Sequence, residues 1–217
     1  MDIFFTADCH FDHKNIMRHA NRPFASIEEN DETLIHNWNE IVPRNGKVVI
    51  LGDFAWRNHA RFLQRLNGSK IIILGSHDKM SQDTLRLFSE VHKHSAMIHA
   101  GNNNPFFCSH CCQRVWERSH YGIPHLFGHS HGRLKTFNMS VDVGVDSDEV
   151  SKKYYPIPIE EINIWMSFRE EGMKAVGRVV KDGVGGKLLF RQDDVSWLIK
   201  KHKENKENED VNSIETV

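Results

Sequence analysis

The chain carries almost no net charge: 28 Lys and Arg stand against 29 Asp and Glu. That balance supplies no global positive field and argues against extended nucleic-acid binding. No apolar run approaches the roughly 20 residues a membrane helix needs. The N-terminus lacks the basic stretch and apolar segment of a secretory signal. Only four cysteines are present, Cys9, Cys108, Cys111 and Cys112. Their spacing builds neither a disulfide framework nor a paired CxxC zinc site, so reduced thiols in a cytoplasmic compartment are expected. What the chain has in excess is histidine, 15 in 217 residues.

This length allows one sizeable domain with its own core. Ile3-Phe4-Phe5-Thr6-Ala7 reads as a strand. Ser26 followed by Glu29 resembles a capping box, opening a helix through Leu34, Ile35, Trp38, Ile41 and Val42. Val48-Val49-Ile50-Leu51 and Ile71-Ile72-Ile73-Leu74 are uninterrupted apolar strands of the kind buried on both faces. Ala60 to Leu66 and Gln82 to Phe88 read as helices. Ala96–Ile98, Pro105–Cys108, His125–Phe127 and Ser140–Val143 read as short strands, and Glu160 to Phe168 as a helix. Alternating strand and helix followed by mostly strand predicts an α/β fold. Its architecture would be a four-layer α/β/β/α sandwich, two packed mixed sheets flanked by helices. The expected organisation is a domain over 1–165 and a C-terminal extension packed on it over 166–199, with a hairpin around Asp182-Gly183. A charged, disordered tail over 200–217 would follow.

Acidic and histidine residues cluster at strand ends and in loops: Asp8-Cys9-His10, Gly52-Asp53, Gly75-Ser76-His77-Asp78, His110 and Gly128-His129-Ser130-His131. In α/β sheets ligands gather beyond the carboxyl ends of strands, so such residues share one crevice. Asp8 and His10 are two apart, which in extended chain puts both on one side and Cys9 on the other, in the core. His129 and His131 share a side in the same way. One DxH or HxH is usually a surface or packed motif. The whole ordered set points to a metal site, and its imidazole and carboxylate donors suit Mn, Fe or Zn.

The ordered set D-x-H, G-D, G-x-H-D, H, G-H-x-H resembles the calcineurin-like metallophosphoesterases. Phe11, His13, Asn15-Ile16, Arg22-Pro23-Phe24 and Gly52-Asp53-Phe54 resemble a small bacterial and phage branch of that family. The resemblance implies a dinuclear centre of two divalent ions. Asp8, His10 and His131 would hold the first, Asp53 would bridge, and His110 and His129 would hold the second with position 76. It implies His77 as proton donor to the leaving group or as transition-state stabiliser, and Asp78 as the residue orienting the His77 ring. The reaction implied is hydrolysis of small phosphomonoesters or phosphodiesters, nucleotides among them, by a dinuclear-metal-activated hydroxide.

The chain departs from that pattern twice. Ser76 stands where the family usually has Asn, so its shorter arm weakens the second site. Cys111-Cys112 follow His110 where an aromatic residue and proline are common; the pair reads as tolerated variation, or as a thiol near the second metal. Two competing functions follow: a binding or scaffold protein on an attenuated site, and a nuclease. His13 and Arg22 read equally as substrate-facing or structural. Trp116 with Arg114 and Arg118 reads first as a packed Trp in a loop, and second as a base-stacking surface.

Overall fold

The computed structural model describes residues 2–100, 105–134, 137–147, 154–167 and 169. The chain divides into two compact units, Met1–Glu161 and Ile162–Val217. The expected hairpin around Asp182-Gly183, the bulk of the 166–199 extension and the 200–217 tail lie outside the described residues. In the second unit, residues 162–167 are helical, and Ser167 Oγ donates to the Asn163 carbonyl.

The first unit contains two mixed sheets, as the alternating apolar runs predict. In one, β1 (Ile3–Thr6), β2 (Lys47–Ile50), β3 (Ser69–Ile73) and β4 (Glu90–His92) run parallel, and β9 (Ile157–Pro158) joins β1 antiparallel. In the other, β5 (Ser95–Ile98) pairs antiparallel with β6 (Phe106–Ser109), and β7 (His125–Phe127) and β8 (Ser140–Asp142) continue it in parallel. Strands β4 and β9 do not stand out in the sequence: Glu90-Val91-His92 is short and polar, and β9 ends on Pro158. Edge positions tolerate both, because one side of the strand needs no ladder.

The central strands are buried on both faces, which is why they read as continuous Val and Ile. Phe4, Val48, Ile50 and Ile72 pack into a cluster with Leu34, Ile35, Trp38, Phe62 and Leu63. The last five belong to α2 (Ile27–Ile41) and α3 (His59–Leu63), which follow the one-turn α1 (Ile16–His19). Side chains alternate along a strand, so Phe5, Val49, Ile71 and Ile73 face the other way and are equally buried. There Phe5 meets Phe106 of the second sheet, ring centroids 5.7 Å apart.

Helix α2 starts where the capping pattern places it. Ser26 Oγ accepts from the Glu29 N–H at 3.1 Å, and Glu29 reaches back to the N–H of Ala25, one residue before the cap. Ile41 turns out to be 39% exposed, so the apolar stripe ends at Trp38 and Val42. The helices expected over 60–66 and 82–88 are shorter, α3 and α4 (Gln82–Leu85).

Trp38 anchors the helical layer: it is 1% exposed, and its indole N–H donates to the Asn67 carbonyl at 3.0 Å. Trp38→Ala is expected to lower unfolding free energy by about 3–5 kcal/mol, through lost burial plus an unfilled cavity. The shift in the urea midpoint checks it, and a shift below about 1 kcal/mol would refute the anchoring role.

Candidate metal centre

Each of the three central strands of the first sheet hands a short loop to one end of the sheet. Asp8 and His10 follow β1, Asp53 follows β2, and Ser76, His77 and Asp78 follow β3. The second sheet contributes His110 after β6 and His129 and His131 after β7. The Asp8–His10 piece is not extended, as its spacing suggests, but turned. Asp8 and His10 have φ of 57° and 50°, Asp53 52°, and His129 and His131 69° and 49°. Side chains two apart therefore converge through left-handed turns rather than through the pleat. Each such residue costs on the order of 1–3 kcal/mol, and strain of this kind collects at functional sites.

Among the described residues, three sets have donor atoms that lie, within each set, within 4.8 Å of one another: Asp8, His10 and His131; Asp8, Asp53 and His110; and His110, Cys111 and His129. Asp53 joins them. Its Oδ2 lies 3.6 Å from His10 Nε2, 3.3 Å from His110 Nε2 and 3.4 Å from Ser76 Oγ. His129 Nδ1 lies 3.2 Å from His110 Nε2. Buried polar atoms normally have partners. Asp8 Oδ1 and both ring nitrogens of His10 have none, although Asp8 is fully buried and His10 3% exposed. A fully buried carboxylate oxygen and an adjacent imidazole, both without partners, fit a divalent cation.

Ser76 and His77 lie at the exposed rim. The His77 ring is 5.7 Å from that of His10 and 5.2 Å from that of Trp56, and Trp56 stacks on His13 at 4.5 Å. Asp78 is differently employed from what the resemblance implies. Its Oδ2 accepts from the N–H groups of Asp53 and Gly75, both at 2.8 Å, and its Oδ1 from Phe54 N–H at 2.9 Å. These bonds run to main chain, not to the His77 ring, and tie the β2 and β3 loops together. Gly75 is required where they meet: a Cβ there would lie 2.3 Å from Asp53 Oδ1.

Arg22 is structural. It is 5% exposed and donates to the carbonyls of Asp8 and Cys9, to Asn30 Oδ1 and, through two nitrogens, to Asp146. Asp146 Oδ2 also lies 2.7 Å from His131 Nδ1, fixing that ring. Asp142 accepts from Ser130 Oγ and from the N–H groups of Gly132 and Gly144, which holds the His129–His131 turn. Gly128 lets the two sheets close: a Cβ there would meet the Ala7 Cβ at 2.4 Å and Asp8 Oδ2 at 2.8 Å. Asp142 and Asp146 are the residues that sequence reasoning passes over. Their signal is the one that marks Asp53, an acid at the end of an apolar strand. Trp116 is packed, 5% exposed with its indole N–H on the Ile123 carbonyl, so it offers no stacking face. His92 lies 3.4 Å from Glu90, and His94 and His99 are exposed.

The charges are unevenly held. Burial lifts Asp8 from 3.8 to about 8. Burial opposes a charge on His110, but the Asp53 hydrogen bond and the nearby Asp8 carboxylate outweigh it and raise His110 from 6.5 to about 9. Burial drives His10 down to about 3. Burial also works against ionised Asp53, but its bonds to His110 and His77 N–H hold it below the usual carboxylate range. Asp8 and His110 thus hold more protons folded than unfolded. Asp8 loses its stabilising proton as pH rises from 3.8 through about 8, and His110 from 6.5 through about 9. The opposite slope of His10 is confined to the range from about 3 to 6.5. Chelated protein is therefore expected to melt at a lower temperature at pH 8 than at pH 6.5. Calorimetry at the two values checks this, and a flat or rising profile would refute it.

No family model matches the chain. It is 41% identical over 85 residues to an uncharacterized protein of Methanocaldococcus jannaschii, MJ1445, a match covering 37% of this chain and 48% of that one. It is 33% identical over 95 residues to the Gene 66 protein of Mycobacterium phage L5, covering 40% of this chain and 45% of that one. The chain thus spans about half the length of these curated relatives. Among solved structures it is similar to AQ665, a protein of unknown function from Aquifex aeolicus. That match has a TM-score of 0.57 and 20% identity, covering 75% of this chain and 97% of that one. A second, YfcE, a phosphoesterase from E. coli, matches at a TM-score of only 0.36 and 17% identity, covering 68% of this chain and 80% of that one. The AQ665 likeness shows a shared α/β fold.

Proposed function

We propose that this chain is a metal-dependent phosphoesterase of the calcineurin-like kind, acting on small phosphomonoesters or phosphodiesters, nucleotides among them. One observation carries the reading: Asp53 Oδ2 stands between His10 Nε2 and His110 Nε2, at 3.6 and 3.3 Å, where one carboxylate can serve two cations. Asp8, His10 and His131 would hold the first, and His110 and His129 the second. When bound, the ions would supply positive charge to a phosphate and acidity to water.

The remaining work falls to the chain's own groups. His77 is exposed, beside His10, and its main-chain N–H donates to Asp53 Oδ1 at 2.9 Å. In this reading its imidazole would give a proton to the leaving oxygen at the mouth of the site. Asp78 positions the same loop through its three main-chain bonds. Asp146 orients the His131 ring, as carboxylates behind ligating histidines do. Asp8 and Asp53 are the carboxylates of the donor sets, and even a deprotonated Cys111 would bring the negative charges only to three against the four positive charges of two divalent ions, so a loaded centre would stay net positive and draw an anionic ester. All four cysteines are free, in keeping with a reducing, cytoplasmic setting.

Ser76 favours a second reading, an attenuated or scaffold protein, because its hydroxyl reaches only Asp53 Oδ2, at 3.4 Å. Turnover separates the two. Aryl phosphate and bis-aryl phosphate hydrolysis should need added Mn, Fe or Zn and stop with chelator. His77→Ala should lower kcat by about 10²–10⁴-fold with metal content unchanged. Two bound metals with no turnover of either ester class would sink the enzymatic reading for generic substrates.

A further inference from the structure

Building on that reading, we propose that Cys111 is a ligand of the second cation, its thiolate closing a set with His110 and His129, and that the position selects zinc-like over magnesium-like ions.

The placement is specific. Cys111 Sγ and the ring nitrogens of His110 and His129 lie within 4.8 Å of one another, and His110 also belongs to the Asp8–Asp53 set. The two imidazoles meet edge to face, centroids 5.0 Å apart, with Nδ1 of one 3.2 Å from Nε2 of the other. A cation between them would use both lone pairs. Below the thiol the main chain is anchored. Ser109 Oγ donates to the Cys111 carbonyl at 2.8 Å and lies 2.9 Å from Nε2 of His125, a residue fully buried. Ser109 itself is 2% exposed, so position 111 is fixed by a buried pair, whereas its side chain is open to solvent.

The neighbouring cysteine is not the donor: Cys112 Sγ contacts the Gln113 carbonyl at 3.9 Å. Nor does Ser76 supply the missing donor from the β3 side, since its hydroxyl rests on Asp53. A thiolate and two imidazoles, with the Asp53 carboxylate 3.3 Å from His110 Nε2 as a further donor, would make a set of the kind zinc takes. Magnesium prefers oxygen and keeps its waters, so it gains little from sulfur. The thiolate forms by loss of a proton to water as the ion binds.

Cobalt reports on this directly, because a Co–thiolate bond absorbs in the near ultraviolet and Co–imidazole or Co–carboxylate bonds do not give that band. The full chain, stripped with chelator and titrated with Co²⁺, should bind two ions and develop the band. Cys111→Ser should lose the band and weaken the second ion by at least about 10–100-fold while keeping the first. Cys112→Ser should keep the band. Cobalt bound at one or two sites without the band, or a band surviving in Cys111→Ser, overturns the thiol ligand and leaves the phosphoesterase reading standing. No tightly bound cobalt at all sinks both.

Discussion

Arg22 holds the centre together from behind. A guanidinium this deeply buried is tolerable only if every donor is used and its charge is matched. Here it spans three parts of the first unit: the carbonyls of Asp8 and Cys9 after β1, the side chain of Asn30 on α2, and the carboxylate of Asp146 beyond β8. Asp146 passes the constraint to the His131 ring. The turn that carries Asp8 and His10 is thereby tied to the loop that orients His131. Asp78 performs the same task without a cation, joining the β2 and β3 loops through N–H groups alone.

Much of this was legible in the sequence, for identifiable reasons. β2 and β3 are covered on both faces, so their Val and Ile runs are continuous and the residues that follow them are marked as sheet-end residues. Ser26 announces α2 because the capping bond is local. The convergence of Asp8, His10, Asp53, His110, His129 and His131 follows from strand ends sharing one edge. The left-handed turns at Asp8, His10 and Asp53 were not legible. They are set by contacts across loops, such as the bridge of Phe11 with Ala55, and not by residue type. Asp142 and Asp146 look like ligands by position, yet they bind Ser130, Arg22 and His131. Spacing alone does not separate an acid that holds a cation from one that holds its neighbours. Arg22 is ambiguous for the same reason.

The centre is arranged at a cost to the fold. Left-handed backbone at the donor residues works against stability. The cluster around Phe11, Trp38, Phe54 and Phe62 lies on the helical face and offsets that cost. Function and stability are thus divided between the end of the sheet and its face.

Gly128 gives this division a dimension. At that point the second sheet approaches Ala7 and Asp8 so closely that one methyl group would not fit, and His129 N–H can donate to Asp8 Oδ2 at 2.7 Å. The seam behaves like a hinge with no play: the width of the cleft is set by an atom that is absent. Side chains on the outer faces of either sheet can vary without changing that width, whereas a change at the seam would splay both halves of the donor set together.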